Sequence, residues 1–429
     1  MPLWLRLLVL TGTALALCAC GDQTDTAASK PAAEFSPASG ADIGSTSDRI
    51  DPIQGRIVER GFGGWRKLNA ITFSKPPERN FLGFHLNLFL LEKHPDTIDP
   101  VPMLAAGSPV IRGDEQIWTL RQEATWDDGS PVSAADAVAT WAAIKAFSRT
   151  ISRHVFIELG GDEVLDVSAL DEKRFQVRHR KNGQRAARLF GLAFGVCDAR
   201  KIPTDPEAMD GARILPGQGP YRVNEAGIAK NEVTFTRKEP WWGDTVPAFR
   251  NRWRAAEYVY REVSDSVQTE EQLRRGDLDI AALASVERYA ALKGPEWEKN
   301  FDKAHYYLSQ FNFIGWTCGR APFAAARVRR ALAHLVPRKK INEERCEGLA
   351  LSRSGPFFSR SPYSDGYVKP PLFSPKKALE LLAEAGWKDS DGDGVLDKDG
   401  KPFRFAIMRQ SENPDWAIAI LDLFAETLR

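Results

Sequence analysis

Short segments of alternating polarity take turns with helices whose ends are written into the sequence. That alternation confines the chain to an α/β or α+β class with mixed sheets. Ile117–Arg121 alternates and runs into the turn residues Asp127, Asp128, Gly129, Ser130 and Pro131. Ser133 predicts a helix N-cap, with Asp136 three residues on as its capping-box partner. Arg174–His179 and Glu232–Arg237 read as half-buried strands, and Thr269–Arg275 as a short helix closed by Gly276 before a strand at Leu278–Ala281. An aromatic extended stretch over 304–315 carries Tyr306, Phe311 and Phe313. Arg327–Leu335 predicts a helix with Val328, Leu332 and Leu335 inward, which leaves Arg327, Arg329 and Arg330 on a solvated face. Lys376–Ala385 is bracketed by Ser374 at the N-cap, Pro375 at the first helical position and Gly386 past the end. Phe403–Met408 alternates as a strand, and Asn413-Pro414 opens a last helix with Ile418, Leu421 and Phe424 inward.

The first residues belong to a different regime. Leu7–Leu17 is an uncharged, Leu-rich run of 11 residues preceded by Arg6. It is too short for a span of about 20 helical residues and suits the apolar region of a signal peptide. It ends in Leu17-Cys18-Ala19-Cys20-Gly21, which resembles a bacterial lipobox, so residues 1–19 are expected to be removed and Cys20 to carry a lipid. Cys at the second lipobox position departs from the usual Ser or Ala; a simple signal peptide cut near Ala19 is the other reading. The segment 20–48 is rich in Ala, Ser, Thr, Pro and Gly and reads as a flexible tether. No second apolar run approaches 18 residues. Without the leader, 57 cations face 57 anions, so no basic field draws the chain to nucleic acid.

Catalytic signatures are missing: no Gly-x-Ser-x-Gly elbow, no phosphate loop, no His-Glu-x-x-His, and six histidines without metal-ligand spacing. Gly217-Gln218-Gly219 lacks the third glycine of a dinucleotide fingerprint and precedes Pro220. One local motif does point to chemistry. Asp389, Asp391 and Asp393 stand at positions 1, 3 and 5 of a calcium-type loop, with Gly394 for the turn and Val395 and Asp397 to complete one side. Position 12 is Gly400 rather than Glu, so the alternative is an Asp/Gly-rich turn whose carboxylates cap backbone N–H groups. Calcium here would staple a loop, and no cofactor is otherwise required. In an oxidising compartment Cys318 and Cys346 are a candidate disulfide, with two free thiols as the alternative.

The stretch Trp118-Thr119-Leu120-Arg121 followed by Thr125 to Asp136 resembles family 5 of the extracellular solute-binding proteins, the oligopeptide- and dipeptide-binding components of ABC importers. Further landmarks follow in the family's order. They are Leu68-Asn69 (Ala70 replacing a proline), Gly217-Gln218-Gly219-Pro220-Tyr221, Arg237 with Trp241-Trp242-Gly243, Gly276-Asp277-Leu278-Asp279-Ile280, Pro322-Phe323 with Arg327–Leu332, and Ala378–Trp387. Trp126, Trp241 and Trp242 read as packing residues.

The resemblance implies a periplasmic binding protein type II-like two-lobed clamp with an inserted subdomain. Lobe I is expected at 49–82 and 213–300, the insert at 83–212, and lobe II from 301 to 429. The second lobe is expected to be truncated, with Ile420, Leu423 and Phe424 of the last helix missing partners. By resemblance, Phe73, Ser74 and Lys75 face the ligand cleft. The implied function is a non-enzymatic, lipid-anchored receptor, monomeric and periplasmic, that delivers peptides to permease subunits in the membrane. Nickel complexes, haem, opines or oligosaccharides are other solutes the fold hosts. The alternative is a periplasmic lipoprotein acting as a hydrolase or a calcium-stabilised adhesion or sensor module on the same scaffold.

Overall fold

The computed structural model describes residues 7–16, 51–61, 67–73, 76–94, 99–223, 225–229, 231–283, 286–353, 355, 357, 368–408 and 415–428. The chain forms two compact units, one over Lys30–Ala281 and one over Ala282–Arg429 together with the first 29 residues. The division falls some way before residue 300. Lys303 explains this, because its ammonium donates to the carbonyls of Tyr289 and Leu292 and ties that stretch to the following strand.

In the 30–281 unit a mixed sheet is built on Arg56–Gly61, which runs parallel to Glu257–Glu262, with Arg56 opposite Glu257. Glu257–Glu262 pairs antiparallel with Glu232–Arg237, and that strand with Tyr221–Arg222. A second, antiparallel sheet has the spatial order Val110–Arg112, Glu115–Thr119, Arg174–His179, Val164–Ala169. The helix Ala134–Ala146 packs on it and starts as its sequence predicts: Ser133 accepts from the Asp136 N–H while the Asp136 carboxylate accepts from the Ser133 N–H. One apolar core runs continuously beneath both sheets, from Leu68 through Trp118 and Phe190 to Phe249.

The Gly217-Gln218-Gly219 turn is wedged against a π-helical turn, Leu82–Leu86. A Cβ on Gly217 would stand 1.9 Å from the Leu86 carbonyl oxygen, and one on Gly219 2.5 Å from that of His85. Only glycine permits this approach. The Gln218 carbonyl accepts the indole N–H of both Trp241 (2.9 Å) and Trp242 (2.7 Å), and both rings are buried, as Trp126 is.

In the 282–429 unit the strand Asp302–Asn312 runs parallel to Leu7–Ala16. The stretch read as a signal-peptide apolar region thus takes strand form here, a continuous apolar run suiting a parallel strand as well as a leader. The helices Ala326–His334 and Pro375–Glu384 pack together in a core with Ile420, Leu423 and Phe424. Ser374 accepts from the Lys377 N–H, Pro375 opens the helix, and Gly386 takes φ 86° past its end. Three expectations fail here. Arg329 is buried, donating to the carbonyls of Phe323 and Ala324, while the solvated-face reading counted only its charge. Ile420, Leu423 and Phe424 have partners within their own unit, Phe424 lying 6.5 Å from Trp316. Phe403–Met408 alternates in exposure but forms no strand, because alternation selects a face and not a ladder partner. The start of the last helix at Asn413-Pro414 lies outside the described residues; the helix is described over Asp415–Glu426.

Candidate functional site

The helix Pro76–Phe81 carries Arg79 and Asn80 to the mouth of a cavity of about 220 Å³ in the 30–281 unit. The π-helical turn adds Gly83 and Phe84, the latter 41% exposed. Phe89, the strand Leu91–Lys93, Met103 and Leu192 complete the lining. A Cβ at Gly83 would come within 3.0 Å of the Phe89 ring, so a bare glycine lets the turn close on that ring.

The polar groups are unequally satisfied. Arg79 pairs with Glu158 at 3.3 Å, donates to the Leu192 carbonyl and lies 5.3 Å from the Phe89 ring centroid. Glu158 is also 3.2 Å from His154, and Glu92 is held by Arg252 at 3.1 Å. Among the described residues the Lys93 ammonium has no hydrogen-bond or ion-pair partner. Desolvation against the wall, then repulsion from Arg79 and Arg188, lowers its pKa, with Glu158 opposing.

Below the same helix, Tyr258 donates to the Glu59 carboxylate, and His85 Nε2 is 2.9 Å from the Tyr260 hydroxyl. Burial raises the Glu59 carboxyl and lowers the His85 imidazole to about 3. His85 Nδ1 is buried without a partner.

A second concavity, about 450 Å³, is lined by Trp126, Trp241, Trp242 and Lys238. Its floor is spent on the fold: the indoles of Trp241 and Trp242 serve Gln218, and Lys238 donates to Asp127 and the Gly217 carbonyl, both at 2.6 Å. The smaller cavity, with an exposed ring and an ammonium that has no partner among the described residues, is the better candidate for a ligand.

The family model for bacterial extracellular solute-binding proteins, family 5 Middle, matches residues 99–429. The chain belongs to this family. It is 30% identical over 230 residues to the oligopeptide-binding protein AppA of Bacillus subtilis, covering 48% of this chain and 40% of that one. To the nickel-binding periplasmic protein of Escherichia coli it is 24% identical over 306 residues, covering 68% of this chain and 55% of that one. The chain thus spans about half the length of these curated relatives. Among solved structures, NikA from Brucella suis in complex with Fe(III)-EDTA superposes with a TM-score of 0.66 at 16% identity, covering 88% of this chain and 73% of that one. AppA in complex with a nonapeptide superposes with a TM-score of 0.57 at 19% identity, covering 89% and 73%. The shared fold is the α/β, periplasmic binding protein type II-like fold.

Within this family 5 chain the residues expected at the cleft are placed as follows. Phe73 is fully buried, 6.5 Å from Phe89 and 5.9 Å from His154, so its ring packs the core instead of lining a cleft. Ser74 and Lys75 lie outside the described residues, as does the lipidation residue Cys20. Phe89, against which Phe73 stacks, lines the cavity. Sequence reading missed Arg79 and Lys93; an isolated cation beside an apolar run was the only signal.

Asp389, Asp391 and Asp393 do converge, with one oxygen from each within 4.8 Å of the others. Asp389 accepts from the N–H groups of Gly392 and Gly394, and Asp393 from that of Val395. Asp397 is committed elsewhere, accepting from the Ser390 N–H and hydroxyl, which lower its pKa. Oxygen donors of this kind suit a hard divalent cation.

The Cys318–Cys346 disulfide is not formed. Both thiols are free, with Cys318 exposed beside the Trp316 carbonyl and Cys346 buried in the core, where burial raises its pKa. Compartment chemistry permits a bridge, but the fold puts one thiol in solvent and the other in apolar packing. Cys197 is also free and buried, and desolvation raises it to about 12.

Proposed function

We propose that this chain is the solute-binding lipoprotein of an ABC importer, capturing a peptide or related small solute and delivering it to the membrane permease without turnover. The family match over residues 99–429 carries this reading. Relatives named for oligopeptide, nickel, heme and glutathione binding support a small solute as the ligand. In this reading residues 1–19 are a leader and 20–48 a tether held to the membrane by lipid on Cys20. Residues 49–82 and 213–300 are lobe I, 83–212 its insert and 301–429 lobe II. Solute contacts to both lobes would favour a closed arrangement. The protein is periplasmic and monomeric, and calcium on the Asp389–Asp397 loop is structural.

Tryptophan fluorescence titration of the full chain with a peptide library and a panel of small solutes tests this. Saturable, stoichiometric binding with the solute recovered unchanged supports a receptor; release of product would establish a hydrolase instead.

A further inference from the structure

The charges around the smaller cavity do not cancel. Two carboxylates are near, and each is engaged: Glu158 by Arg79 and His154, Glu92 by Arg252. Arg79 is spent on Glu158 and the Leu192 carbonyl. Lys93 remains as an ammonium on the wall with no acceptor among the described residues, with Arg79, Arg188 and Glu158 as electrostatic neighbours. Beside it the lining is apolar, formed by Phe84, Phe89, Leu91, Met103 and Leu192, with the Phe84 ring open to solvent.

A cation at the rim of an apolar cavity is complementary to an anion that brings its own apolar body. We propose that this cavity takes a short apolar-tailed carboxylate, its headgroup paired with the Lys93 ammonium and its hydrocarbon laid on Phe84 and Phe89. The volume equals the liquid share of about seven waters, which suits a short acid or one terminal residue of a longer ligand. Occupation relieves the repulsion between Lys93 and its two arginine neighbours, a gain that a neutral or cationic analogue of equal length cannot make. The inference rests on the solute-binding reading above and specifies the chemistry of its ligand.

Isothermal titration of the full chain with hexanoate, hexylamine and hexanol tests it. Hexanoate should bind one to one, at least tenfold more tightly than either analogue. Lys93→Met should lose at least tenfold in hexanoate affinity, while Lys93→Arg, which keeps the charge, should stay within about threefold. Both variants should melt with the parent protein, since Lys93 is exposed. Equal binding of the three probes, an unaffected Lys93→Met, or no hexanoate binding overturns the proposal. If a solute from the fluorescence panel still binds, only the ligand class falls. If nothing binds, the receptor reading falls as well.

Discussion

The Gln218 side chain bonds to Leu88 as a neighbouring strand would. Its Oε1 accepts the Leu88 N–H and its Nε2 donates to the Leu88 carbonyl, both at 2.9 Å. The same Nε2 also donates to Asn87 Oδ1, and the residue is fully buried. One amide therefore satisfies a chain segment that has just left a helix. Gln218→Leu would strand the Leu88 N–H and carbonyl and the Asn87 oxygen in the core. A loss of about 2–4 kcal/mol is expected in urea unfolding, and a loss below about 1 kcal/mol would show that the segment finds other partners.

The flanking glycines give a sharper contrast. Gly217→Ala forces a Cβ to within 1.9 Å of the Leu86 carbonyl oxygen, so the turn must move; destabilisation of about 3 kcal/mol or more is expected. At Gly107 a Cβ meets nothing within 4 Å, and Gly107→Ala should stay within about 0.5 kcal/mol. Comparable melting temperatures for the two variants would refute the close approach.

His85 makes stability depend on acid. Burial lowers its pKa to about 3, whereas an unfolded chain binds that proton near 6.5. As pH falls from about 6.5 towards 3 the unfolded state gains a proton the native state refuses. The native state therefore loses about 1.4 kcal/mol per pH unit from this group. His85→Phe should remove that slope, so the difference between parent and variant shrinks from neutral pH downwards in denaturant titrations. Parallel pH profiles for the two proteins would contradict this account.

The loop carrying Asp389, Asp391 and Asp393 should respond to calcium. Three carboxylates within 4.8 Å repel one another unless a cation joins them. Calcium is expected to raise the melting temperature, a chelator to lower it, and Asp391→Asn to abolish both effects. A melting temperature indifferent to calcium and chelator ends the metal reading.

Attachment through Cys20 is tested by metabolic labelling with a fatty-acid analogue. Label should enter the parent protein and be lost in Cys20→Ala; label retained in the variant would place the lipid elsewhere.

What the sequence determined by itself is local. Ser133 with Asp136, and Ser374 with Pro375 and Gly386, set helix ends because their bonds close within a few residues. Arg174–His179 and Glu232–Arg237 are strands over the residues that their alternation marks. The convergence of Asp389, Asp391 and Asp393 also follows from spacing alone. The ordered landmarks named the family for the same reason, since each is a short turn or cap with its own internal logic.

Only the tertiary structure decided which side chains meet. Phe73 went into the core because Phe89 and His154 converge on it from distant segments. Arg329 was drawn inward by two carbonyls of the preceding loop, and Cys318 and Cys346 were separated by burial of the second. The cavity beside Lys93 draws on positions from 79 to 192, brought together by a helix, a π-turn, a strand and a second helix. That its ammonium meets no partner among the described residues is a property of that assembly, because whether a charge has a partner depends on distances across the fold.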